Sequence, residues 1–221
     1  MRKERTKTLV AMAIILGSLA FIYFAMVPRP PSVEGRPFEG IGQIAAEQAQ
    51  RLVGNGGQIM LILRDTSVFK NPATDFQSEA FFQTLRKYKL SVSITNLVKE
   101  DPLRIMRVPR GDYVELLRKG TDKDVIVSLM GPPILTDLDK SKLKEKGPRV
   151  VAVCTGSIPQ QVNLRDLFAQ GLLHAAILSR PNPETKPPKI NKLQAWFDNY
   201  YLLITEANLN DLPQQNEKAG F

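Results

Sequence analysis

The chain opens with an apolar stretch that has no period. From Thr8 to Val27 twenty consecutive residues carry no charge, and they are apolar all round rather than on one face. After a proline-rich interval the rhythm changes. Ile41, Ile44, Ala45, Ala49, Leu52 and Val53 recur at helical spacing, and GNGG at 54–57 stops that helix. Short apolar runs then alternate with helical patterns. QIMLIL (58–63), DVIVSLM (124–130) and RVVAVC (149–154) are near-continuously apolar, as strands covered on both faces are. SVSITNLV (91–98) alternates, which suits an edge, and His174–Leu178 supplies a fifth run. Tyr200–Thr205 is available as a sixth.

Helical segments fall between these runs. Thr74-x-x-Gln77 reads as a capping box ahead of a face made by Phe76, Ala80, Phe81, Leu85 and Tyr88. Asp112-x-x-Glu115 opens a second helix that Gly120 closes, 138–146 makes a lysine-rich third, Asn163 caps a fourth, and 193–198 forms a fifth. Strands separated by helices predict βαβ units and a mostly parallel sheet of five or six strands. The expected fold is therefore a flavodoxin-like or Rossmann-like three-layer α/β sandwich, strand order 2-1-3-4-5, preceded by one transmembrane helix.

Length and charge place the first segment. As a helix, twenty residues span about 30 Å, the thickness of a bilayer's hydrocarbon core, whereas the core of a signal peptide is about 7–15 residues. The small-residue site Ser18-Leu19-Ala20 lies inside the apolar run, and Phe21, Tyr23 and Phe24 sit toward its outer end. Arg2, Lys3, Arg5 and Lys7 precede it, so the N-terminus is expected in the cytoplasm and the body outside, at the inner membrane of a bacterium. The expected organisation is a basic N-terminus (1–7), an anchor in the lipid bilayer (8–27), a proline-rich spacer (28–40), an extracytoplasmic α/β domain (41–212) and a polar tail (213–221). The net charge of +8 is otherwise spread out, without the basic and aromatic clustering that binds nucleic acid, so no nucleic-acid partner is expected.

No motif names a reaction. The single cysteine, Cys154, and single histidine, His174, cannot build a four-ligand zinc site, and no metal or cofactor is expected. Asp65 ends the first strand but lacks the second acid that would hold magnesium. A phosphatase loop on Cys154 would need an arginine where Gln160 stands. Counting leaves a Ser-His-Asp triad open, yet the GxSxG elbow is absent. GNGG precedes a strand, whereas a phosphate cradle follows one.

In a parallel sheet, ligands bind beyond the carboxyl ends of the strands. The candidate rim is Arg64, Asp65, Thr66 and Ser67 after the first strand, Asn96 in the second, and Gly131 after the third. Thr155, Gly156 and Ser157 follow the fourth, and Ser179 and Arg180 the fifth. The segments QIMLILRD, SVSITNLV, DVIVSLMGPP and RVVAVCTGS, with the helix from Asp75, resemble one lobe of the periplasmic binding proteins of the sugar-binding, repressor-like type. That resemblance implies two lobes closing on a small ligand, and this chain has room for one. The leading expectation is a non-enzymatic, membrane-anchored domain that binds a small ligand or a partner: a membrane or envelope protein, or a second copy of itself. The alternatives are a solute-binding subunit of a transporter and a membrane-tethered hydrolase using Asp65 or Ser157.

Overall fold

The computed structural model describes residues 2–26, 33–99 and 107–213, and within the first helix the side chains of Lys7 and residues 11–23. The chain divides into two compact units, Met1–Val33 and Glu34–Phe221. The first contains helix α1 (Arg2–Met26). Among the described residues no helix is long and apolar enough to cross a membrane. The described side chains of α1 cover only part of the predicted anchor, fewer residues than the roughly 20 that a span needs.

The second unit is a six-stranded sheet in the order β2-β1-β3-β4-β5-β6. Its strands are β1 (Ile59–Arg64), β2 (Val92–Val98), β3 (Val125–Ser128), β4 (Arg149–Cys154), β5 (Ala175–Ser179) and β6 (Tyr201–Thr205). The first five are parallel, and β6 runs antiparallel along β5. The central strands are buried on both faces, so neither face can carry polar side chains at alternate positions. β2 and β6 are the two edges of the sheet among the described residues, and β2 leaves Ser93, Ile94, Thr95 and Leu97 exposed.

Alternate side chains along each strand feed two cores. Ile59, Leu61, Val125, Val127, Val151 and Ile177 meet α2 (Arg36–Leu52), α3 (Pro72–Lys87) and α8 (Leu193–Tyr200). Met60, Ile62, Ile126, Val150, Ala152 and Leu178 meet α4 (Arg110–Lys119) and α7 (Leu164–Ala169) on the other face. This is the expected three-layer sandwich. α2 packs along α3 and α8. It comes so close to α3 that a Cβ on Gly42 would lie 2.1 Å from the Gln77 carbonyl oxygen.

Several boundaries differ from the sequence reading. α2 begins at Arg36, inside the predicted spacer, because Pro37 is tolerated in a first helical turn. The cap of α3 is Asn71, whose Oδ1 accepts from the Thr74 N–H at 3.2 Å; Thr74 itself lies inside the helix. α4 begins at Arg110 after Pro109, with no side-chain cap, so Asp112 lies inside the first turn rather than opening the helix. The lysine-rich helix shrinks to one turn, α5 (Asp137–Lys140), capped by Thr136 and Asp139. Lys140, Lys142, Lys144 and Lys146 would repel one another at helical i,i+4 spacing, and Pro148 follows. A further single turn, α6 (Ile158–Gln161), follows β4. Most of the predicted tail, 214–221, lies outside the described residues.

Candidate functional site

A cleft of about 260 Å³ opens at the carboxyl ends of β1, β3 and β4. Three elements shape it. α2 contributes Phe38 and Ile41, and the first turns of α3 contribute Asn71, Ala73, Thr74 and Gln77. The strand ends contribute Arg64, Leu129, Met130, Val153 and Thr155, with Ile158 and Tyr201 completing the wall. α3 reaches this place because a right-handed crossover from β1 to β2 must start above the end of β1. Its first N–H groups therefore face the strand ends, and those of a first turn have no partner within their own helix.

Gln77 is the most informative side chain here. It is only 8% exposed and lines the cleft. Its Nε2 is buried with no acceptor among the described residues. An orphan amide in such a place costs about 1–3 kcal/mol, and because the nitrogen itself is buried, an acceptor in the cleft reaches it only if the side chain turns toward the opening. Tyr201 is held above its ordinary pKa by burial and by neighbouring Tyr200, so it stays protonated at neutral pH.

The eleven predicted rim residues divide. Arg64 and Thr155 line the cleft. Asp65 does not. Its carboxylate accepts from the Ser67 N–H at 2.9 Å, and the hydrogen bonds from Ser67 hold its pKa below the usual carboxylate range. Thr66 donates to Asp75 at 2.7 Å, tying the loop to α3. Gly131 takes φ +76° and accepts from the buried Ser128 hydroxyl at 2.6 Å, and a Cβ there would meet Ile158 at 2.7 Å. Gly156 lies in an exposed turn, and Ser157 accepts from Gln161 at 2.8 Å. Arg180 is committed elsewhere: its N–H donates to the Tyr200 carbonyl and its Nε to the Asp198 carbonyl, and Ser179 beside it is exposed.

Asn96 was misplaced. It pairs with Ile62 in the middle of β2, two residues short of the strand end, so it is no part of a rim. Phe38, Ala73, Thr74 and Gln77 were missed because they lie on helices rather than in loops after strands, and Asn71 because it stands at the far end of the loop after β1, as the cap of α3. Asn71-Pro72, a cap followed by a proline at the first helical position, was the available signal.

The candidate nucleophiles have structural partners. Cys154 is fully buried, and burial pushes its thiol far above the ordinary range. His174 Nδ1 accepts the Val150 N–H at 3.1 Å at the start of β4, the opposite end of that strand from Ser157. Among the described residues no group of three His, Cys, Asp or Glu side chains is placed to hold a metal ion.

Solved structures similar to this chain are periplasmic sugar-binding proteins, the group its strand segments resemble. One is a carbohydrate transporter solute-binding protein from Agrobacterium radiobacter in complex with D-arabinose, 12% identical at TM-score 0.49, covering 79% of this chain and 61% of that one. Another is the periplasmic component of an ABC-type sugar transport system from Hahella chejuensis, 14% identical at TM-score 0.46, covering 73% and 53%. A third, from Agrobacterium vitis, is an ABC transporter solute-binding protein bound with alpha-D-tagatopyranose, 12% identical at TM-score 0.44, covering 78% and 57%. This chain thus spans between about half and three fifths of their lengths. No protein-family model matches the chain, and no curated protein matches its sequence.

Proposed function

We propose that residues 34–213 form a non-enzymatic binding domain that takes a small, neutral, polar solute in the strand-end cleft, and that the apolar segment 8–27 anchors it outside the cytoplasmic membrane. The observation that carries the binding reading is the strand-end cleft, whose wall includes Gln77, a residue with a buried amide nitrogen that has no acceptor among the described residues. Asn71 and Thr74 add polar groups beside it, and Phe38 and Tyr201 offer aromatic surface. Amide and hydroxyl groups with aromatic faces suit a polyhydroxylated ring, and the volume suits one of monosaccharide size. The structural roles of Cys154, His174 and Asp65 favour binding over hydrolysis.

The test is calorimetric titration of the full-length chain, in detergent micelles, with a panel of pentoses and hexoses. Saturable heat from at least one sugar, lost or reduced at least tenfold in affinity in Gln77→Leu at unchanged melting temperature, is the expected result. No heat from any sugar, or equal heat from the variant, overturns the reading. The uncharged run Thr8–Val27 and the four basic residues before it support the anchor. Intact mass of the membrane-extracted protein should include the N-terminus, and a mass short by about 20 residues would end that part of the proposal.

A further inference from the structure

The edge strand β2 carries one bulge, at Ser93 near its start, and beyond it runs regularly from Ile94 to Val98. Natural edges are blunted by charge, proline or cover, because an unpaired row of N–H and C=O groups invites another strand. From Leu90 to Val98 the chain has no charged residue and no proline. Ile94 is 44% and Leu97 53% exposed. Among the described residues no strand pairs with the outer side of β2.

Beside this edge runs a groove of about 510 Å³ between β2 and α3. Phe82, Leu85, Leu90, Val92 and Thr95 line it, with Glu79 and Arg86 on the same stretch of α3. Residues 79, 82 and 86 share one face of the helix, and Phe82 stands nearly midway between the two charges. Those charges are about 10 Å apart along the axis. The distribution is one-sided: Asp75 and Glu79 lie in the first half of α3, Arg86 and Lys87 at its end.

A two-fold axis uses this arrangement fully. It sets α3 antiparallel to its copy, Phe82 against Phe82, and each Glu79 against the other copy's Arg86. It also sets β2 antiparallel to its copy, and an uncharged strand meets itself without like-charge repulsion. We propose that the chain dimerises through this edge: β2 pairs antiparallel with β2 of a second copy about Thr95, each Phe82 fills the apolar groove, and reciprocal Glu79–Arg86 pairs close the two ends. The proposal is independent of the cleft, which lies at the ends of the strands rather than along this edge.

Cross-linking tests it. Directly opposed residues of an antiparallel pair have Cα atoms about 4.5–5.5 Å apart, within the span a disulfide bridges. Thr95→Cys in the full-length chain in detergent micelles should therefore give a covalent dimer under mild oxidation. Ile190→Cys, exposed in the connection after β5 toward the far edge of the sheet, serves as the collision control. Glu79→Arg or Arg86→Glu, each placed in the Thr95→Cys chain, should weaken dimerisation about tenfold by setting like charges at both ends of the interface. Combining the two restores the parental yield. A Thr95→Cys yield no higher than the control overturns the proposal. So does a yield that single charge reversals leave unchanged, or one that the double reversal fails to restore.

Discussion

Gly42→Ala should destabilise this protein, against the usual preference for alanine in a helix. In an exposed helix interior the change gains about 0.5–1 kcal/mol, since glycine has more backbone freedom to lose on folding. Gly42 is buried where α2 crosses α3. Its new Cβ would sit 2.1 Å from the Gln77 carbonyl oxygen and 2.9 Å from the Phe81 nitrogen. Both are backbone atoms of a helix and cannot rotate away. Ordinary contact begins near 3.4 Å, so the two helices must separate locally by about 1.3 Å. Overpacking of this kind costs about 1–3 kcal/mol, and more where the obstacle is rigid. After the helical gain, we expect a net loss of about 2 kcal/mol, or about 5 °C in melting temperature for a domain of this size. The separation also widens the cleft, because Ile41 and Gln77 face it from the two helices. Thermal unfolding of the full-length chain, followed by circular dichroism, measures the loss. Gly111→Ala in α4 is the internal control: its Cβ meets nothing within 4 Å, so that variant should gain about 0.5 kcal/mol. A Gly42→Ala protein as stable as the parent would refute the close-approach argument.

Three further outcomes follow from single residues. Lys89 sits at φ +57° after α3, where the Leu90 N–H bonds the Leu85 carbonyl and the Lys89 N–H bonds that of Arg86. Glycine suits this closing turn better, so Lys89→Gly should raise stability by about 0.5–1 kcal/mol in urea titration. The Tyr113 hydroxyl is buried without a partner among the described residues, so Tyr113→Phe should be neutral or stabilising by about 1 kcal/mol; a loss above that in the same titration would reveal a bond. His174 is held below its ordinary pKa by burial, with Glu206 opposing and Arg149 assisting. Above pH 6.5 the neutral imidazole is present in both folded and unfolded chains and its contribution is complete. As pH falls below 6.5 the unfolded chain takes up the proton first, so stability drops by up to about 1.4 kcal/mol per unit until the folded ring also protonates. His174→Gln should flatten that part of a stability-against-pH profile.

The strands were legible because burial on two faces leaves an unmistakable apolar run. RVVAVC became β4 with its boundaries unchanged, and QIMLIL and DVIVSLM became β1 and β3 with boundaries shifted by a residue or two. The alternating SVSITNLV became the edge. Helix starts were less legible, since several residues near each start could cap. Asn71 rather than Thr74 won at α3 because Pro72 fixes the first helical position. Of the cleft, the rim on the strand ends could be named in advance through Arg64 and Thr155. Gln77 could not, because its surroundings come from α2, thirty-odd residues upstream.

The sequence by itself determined the layered α/β class, the alternation of strands and helices along the chain and the uncharged N-terminal run, all of which follow from local periodicity and length; that β6 lies antiparallel beside β5 came from the structure. Only the tertiary structure decided which polar groups converge. Asn96 paired into mid-strand while Asn71, Thr74 and Gln77 came to the cleft. It also decided that Glu79, Phe82 and Arg86 flank the same open edge as β2. These are contacts between elements far apart in sequence, and packing, which has no period along the chain, sets them.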